Sequence, residues 1–207
     1  MLDPEKIKAP FYSAETIYKK ADEFRAEQAN WGNVPVDIER IIEIGLGIKI
    51  QPRTNLRKIA GTDALLLGGQ HGIIVVDDEE YNDPRYWPRL RFSLAHELGH
   101  FILHRNNSNL YGDIEFDTVD EWVAFLQKVP IDTHFYLEHH ANQFAGRLLV
   151  PRAELVEELE KAKLLKGLGS VMPVPDEHIE LLCMNIGRKF HVSAQCIQIR
   201  ISREGLN

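Results

Sequence analysis

Apolar positions recur at spacings of three and four over two stretches of this chain, and as short runs or alternations elsewhere. Between residues 89 and 104 there is no proline, and Leu90, Leu94, Leu98, Phe101 and Ile102 form one stripe, which predicts a helix packed on a core. Pro88 stands just before it, as helix starts prefer, and Asn106-Asn107-Ser108 reads as its stop. Positions 137, 141, 144, 145, 148 and 149 repeat in the same way and end at Pro151, predicting a second helix. Ahead of these, Ser13 caps a helix reaching about residue 30 with Ile17, Ala21 and Phe24 inward, and Asn33-Val34-Pro35 breaks it. A further helix over 37–44 is stopped by Gly45-Leu46-Gly47, and a short strand follows over 48–51. The apolar runs 64–67 and 72–77 flank Gly68-Gly69-Gln70-His71 and read as a β-hairpin.

The segment 105–133 reads as a long polar-aromatic connection with one short helix around 118–128. A charged helix over 151–166, a loop over 167–175 and two final helices complete the chain. No internal repeat or low-complexity tract is present. The expected fold is α+β, mainly helical with a small sheet, as one domain over 1–207 whose last helical pair, 176–204, packs on the core.

Composition narrows the class. The chain has 207 residues, 44% of them hydrophobic, enough for a sizeable core. No run approaches the ~20 apolar residues of a membrane span, and MLDPEKIKAPFYS lacks the basic-then-apolar form of a secretory signal, so a cytoplasmic protein is expected. The two cysteines, Cys183 and Cys196, sit in apolar helical surroundings and read as buried free thiols. A net charge of −7 disfavours broad attraction to nucleic acid.

The chemistry lies in His96-Glu97-Leu98-Gly99-His100. Residues four apart share a helix face, so both imidazoles can aim at one metal ion, while Glu97, turned roughly 100° around the helix, can reach a metal-bound water. Two neutral ligands, a carboxylate base and an open coordination position describe a zinc peptidase site. Gly99 costs roughly 1 kcal/mol against alanine inside a helix, and makes sense if another backbone passes close by. A third ligand is required. The pattern with a third histidine fails, because Leu103 and Asn106 stand where its glycine and histidine belong. A carboxylate on a later helix remains, and FYLEHHANQFAGRLLVP supplies Glu138. Taken alone, Glu138 would be an ordinary solvated helix charge. Asn142 shares its face and can support a ligand through its amide, while Ala141 and Ala145 let this helix pack tightly on the first.

Taken together, AHELGH and ExxANxFAxxLLxP resemble the ImmA/IrrE family of metallopeptidases. RFSLAHELGHFILH matches the family's histidine helix, VPVDIERIIEIGLGIKI and GIIVVDD its N-terminal helix and core strands, and GRKFHVSAQCIQIRI its C-terminal segment. The resemblance covers most of the chain, from about 12 to about 206. It implies a zincin-like fold, Zn2+ held by His96, His100 and Glu138, and Glu97 as catalytic base. It also implies regulated cleavage of a helix-turn-helix repressor. One departure is His140, where many members carry a second acidic residue.

Six of the nine histidines fall between 96 and 140, which marks this stretch for scrutiny. His104, one turn beyond His100, can pack the helix end or support a ligand. His134, His139 and His140 are candidates for contacting the oxyanion or the substrate, or are ordinary surface histidines. The strand over 72–77 is either an edge to which an extended peptide adds or a core strand. Two other functions stand beside the peptidase. One is a DNA-binding regulator using Ile186 to Ser193 with Ile197 and Ile201, a helix-turn-helix cadence whose second helix offers few base readers beyond Gln195, Gln198 and two arginines. The other is a metal-binding sensor or antitoxin-like partner, which would not need Glu97.

Overall fold

The computed structural model describes residues 3–28, 30–67, 72–104, 118–165 and 176–206, with the side chains of 163–165 and 176–178 left aside. The expected turn at Gly68–His71, the helix stop at Asn106–Ser108 and the loop over 167–175 lie outside the described residues.

The chain opens with α1, Ala14–Glu27, capped by the Ser13 hydroxyl, which accepts the Thr16 N–H, and burying Ile17, Ala21 and Phe24. The next helix lies where its pattern placed it, within a residue at each end, but is not a regular α-helix throughout. Asp37 caps a single α turn, α2, Ile38–Arg40, which widens into a π turn over Ile41–Gly45. Strand β1, Lys49–Arg53, runs two residues past its expected end, through Pro52. Proline is tolerated there because β1 is an outer strand. Helix α3, Leu56–Ala60, and helix α4, Asp78–Asn82, flank β2, Ala64–Leu67, and β3, Ile73–Asp77.

The sheet order is β1-β3-β2. β2 pairs antiparallel to β3, as expected of a hairpin, and β1 pairs parallel to it from Lys49↔Ile73 to Arg53↔Asp77. β3 is therefore the central strand, and the reading of it as an edge open to a peptide is corrected: both its sides are already paired. It is also buried on both faces. Ile74 and Val76 join the main core, while Val75 joins Leu56, Leu65 and Val119 in a smaller cluster.

Helix α5, Trp87–His104, starts early enough to take Pro88 into its first turn. Leu90, Leu94 and Leu98 are buried as expected, but Leu103 takes the place expected of Phe101 and Ile102, which are only half-buried. Helix α6, Val119–Leu126, is capped by Thr118. Helix α7, Ile131–Leu149, starts after Pro130. α5 packs on α7 so closely that a Cβ on Gly99 would lie 3.0 Å from Ala141 Cα and 3.1 Å from its carbonyl oxygen. The glycine is thus explained by the backbone passing over it.

Helix α8, Arg152–Leu165, is followed by α9, Asp176–Phe190, and α10, Ala194–Glu204, whose cap is Ser193. Leu182, Ile186, Phe190 and Ile197 belong to the same buried cluster as Leu98 and Phe144. α10 is tied down by Glu204, which is joined by Arg147 (2.7 Å), Arg152 (3.1 Å) and Arg200. Cys183 and Cys196 are buried free thiols, as expected. The architecture is α+β, helical around one three-stranded sheet. No described helix is long and apolar enough to cross a membrane.

Candidate metal centre

Helical spacing brings His96 and His100 together on α5, with Nε2 atoms 3.1 Å apart. Glu138 reaches across from α7, one carboxylate oxygen 3.2 Å from His96 Nε2 and the other 3.2 Å from His100 Nε2. Among the described residues these three form the one group able to hold a metal ion. The triangle has the right size. Four-coordinate zinc with bonds of about 2.0–2.1 Å separates its ligand atoms by about 3.3 Å. The donor chemistry agrees as well: the two imidazole nitrogens and the two carboxylate oxygens all bear lone pairs, which repel one another unless a cation or protons stand between them.

The outer nitrogens of both rings are engaged. His96 Nδ1 lies 3.1 Å from Asn142 Oδ1, and since a carbonyl only accepts, Nδ1 carries the hydrogen and Nε2 presents its lone pair to the triangle. His100 Nδ1 lies 3.1 Å from His104 Nδ1. Ligation through His100 Nε2 requires His100 to donate in that bond, leaving the His104 proton on Nε2, a buried atom without a partner among the described residues. His104 is fully buried, and burial, reinforced by His100 and His140, pushes its pKa down to about 2. It is a neutral imidazole at any ordinary pH.

Electrostatics separate the two glutamates. Burial pushes Glu138 up, but His100 and His96 outweigh it and hold the carboxyl well below its usual range. Burial likewise pushes His96 down, and Glu138 with Glu97 outweighs it, so this ring holds its proton more tightly than usual. Glu97 moves the other way. Its burial dominates, aided by the Glu138 charge and opposed by His96 and His100, and its pKa is raised. One of its oxygens accepts the Leu66 N–H at 2.8 Å, so the outer side of β2 orients the carboxylate. Leu66 was missed by sequence reading, because a main-chain donor has no residue signature.

The remaining histidines are spread over α7. His140 is buried, packed between Tyr12 and His104 at ring distances of 5.3 and 5.7 Å. His139 is bonded to the Gln143 amide at 2.7 Å and stacks on Phe135. His134 is half-buried, with a buried Nδ1 lacking a partner among the described residues.

A family model described as the IrrE N-terminal-like domain, Peptidase_M78, matches residues 81–202, from α4 to the last turn of α10. No curated protein matches the chain. The matched segment carries the histidine pair, Glu97, Glu138 and Asn142 in the arrangement just described, and covers more than half of the sequence. The chain belongs to the IrrE N-terminal-like family, a family of metallopeptidases.

Proposed function

We propose that the protein is a zinc-dependent endopeptidase of the cytoplasm, with a zincin-like site, whose substrate is a helix-turn-helix transcriptional repressor. The observation that carries the peptidase reading is the convergence of His96, His100 and Glu138 on one point with the buried carboxylate of Glu97 beside it. Two imidazoles and a carboxylate suit zinc among the common divalent ions. The repressor as substrate rests on the family resemblance.

When bound, zinc would supply a Lewis acid for the peptide carbonyl and an acidified water. The protein's own groups do the rest. Glu97 Oε2 is fixed by the Leu66 N–H, which leaves Oε1 to take a proton from the attacking water and return it to the leaving amine. Its raised pKa brings it nearer the pH at which a general base is effective. Asn142 and His104 hold the two ligand rings in the orientation that ligation needs. His139 is the histidine best placed to meet a substrate, because it lines the open groove beside the site.

The alternative readings are less well supported. Arg200, one of the candidate base readers, is buried and bonded to Glu204, which favours a packing role for the last helix. A sensor without proteolysis has no use for a carboxylate held outside the ligand triangle.

Elemental analysis of purified protein should find one zinc per chain, and the protein should cleave its cognate repressor. Glu97→Gln should keep the metal and lose about 10²–10⁴-fold in rate. Wild-type-like cleavage by this variant overturns the mechanism, and a protein that binds no divalent ion overturns the reading.

A further inference from the structure

A groove of about 630 Å³ opens beside the metal site, walled by α5, α7 and α10. That volume falls within the ~300–1,000 Å³ usual for ligand sites. Asn142 is in its lining, and its carbonyl oxygen is bonded to His96. The groove is therefore one hydrogen bond from a metal ligand. Gly146 also lines it, and there the Arg200 side chain packs against α7.

Three arginines line this groove, and they are not equivalent. Arg89 is paired with Asp63 at 2.5 Å and Glu80 at 3.6 Å. Arg200 is buried, bonded to Glu204, and lies over the Tyr18 ring. The Arg203 side chain is exposed, makes no hydrogen bond or ion pair among the described residues, and has the His139 ring as a neighbour along the groove. A chain of net charge −7 generally repels acidic ligands, so an unmatched guanidinium in a groove next to the site makes a local exception.

We propose that this groove is a substrate subsite and that Arg203 selects an aspartate or glutamate at a fixed position on one side of the scissile bond. The inference rests on the peptidase reading above. Guanidinium and carboxylate meet in a charge-assisted, bidentate pair, which discriminates by charge and by geometry. The Asn142 amide, its oxygen taken by His96, keeps its NH2 for a main-chain carbonyl of the same segment.

The test is cleavage of a proteome-derived peptide library by the zinc-loaded enzyme, with products read by mass spectrometry. Wild type should enrich Asp and Glu at one position relative to the cut. Arg203→Glu should shift that preference to Lys and Arg at the same position and lower kcat/KM for the best acidic peptide about tenfold or more, while Arg203→Lys keeps the acidic preference. In a Glu97→Gln background, fluorescence anisotropy should show the same peptide bound about tenfold more weakly when Arg203→Glu is added. Cleavage without acidic preference, or a preference unchanged by Arg203→Glu, overturns the inference and leaves the peptidase reading standing. No cleavage by zinc-loaded wild type overturns that reading and the inference with it.

Discussion

Helix α7 carries two polar clusters about 13 Å apart along its axis, and they are built on opposite principles. Around Arg147 every charge meets its opposite. Asp22 lies 2.6 Å away, Glu204 lies 2.7 Å away and also receives Arg152 and Arg200, and the Tyr18 ring faces both Arg147 and Arg200. Around Glu138 two imidazole nitrogens and two carboxylate oxygens meet with no fixed positive charge between them. The Glu204 side chain is 6% exposed and the Glu138 side chain 37%. Buried polar groups stabilise a fold when they satisfy one another, whereas a cluster that is open and unsatisfied from within is shaped for something that arrives from outside.

The contrast breaks most sharply at Glu204. Glu204→Gln removes the carboxylate shared by three arginines, two of them largely buried, and should cost about 3–5 kcal/mol in denaturant unfolding. A loss below about 1 kcal/mol would mean that this cluster is a surface feature.

Gly99→Ala probes the contact that sets α5, with its two histidines, against α7. Helix propensity alone predicts a gain of about 1 kcal/mol. The methyl would press on the Ala141 backbone, which cannot rotate away, and overpacking costs about 1–3 kcal/mol. Net destabilisation is expected. A stabilised variant would show that the helices separate easily.

At Glu138 the expected sign differs between protein forms. In chelated protein Glu138→Gln should change stability by less than about 1 kcal/mol, because the side chain is partly solvated. With zinc at a hundredfold over its Kd, wild type should gain about 2.7 kcal/mol, and the variant should lose most of that gain. Equal zinc-dependent shifts in Tm would remove Glu138 from the ligand set.

The smallest effect concerns pH. His104 folds with its pKa depressed from the usual 6.5 to about 2. Below about pH 6.5 the unfolded chain takes up a proton that the folded chain refuses, so stability falls as the pH drops through that window. The contribution reaches about 1.4 kcal/mol per pH unit. His104→Phe in chelated protein should flatten the acid limb by up to one proton, and an unchanged slope would contradict the buried neutral ring.

The parts of this molecule that sequence made legible are those in which neighbours along the chain are neighbours in space. His96 and His100 meet because a helix brings every fourth residue round. The periodic apolar positions of α7 likewise placed Glu138 and Asn142 on one face. What escaped is non-local or main-chain. The pairing of residues 49–53 with 73–77 made β3 central, although its unbroken Ile-Ile-Val-Val run is what burial on both faces demands. Five-residue helices such as α3 and α4 are too short for a period. α4 instead takes its start from Asp77, the last residue of β3, whose carboxylate accepts the Glu79 N–H.

The bond from Leu66 to Glu97 separates two things that usually vary together, the identity of a residue and its contribution to a reaction. The donor is an amide common to nineteen of the twenty side chains. Drift at position 66 can alter the packing of the hairpin while the base keeps its orientation. Proline alone removes the hydrogen, and on the outer side of an edge strand it does so without breaking the ladder. A saturation library at this position, sorted for folded protein and then for cleavage, should therefore show one specific gap: a variant that folds and holds zinc, yet leaves its base unanchored.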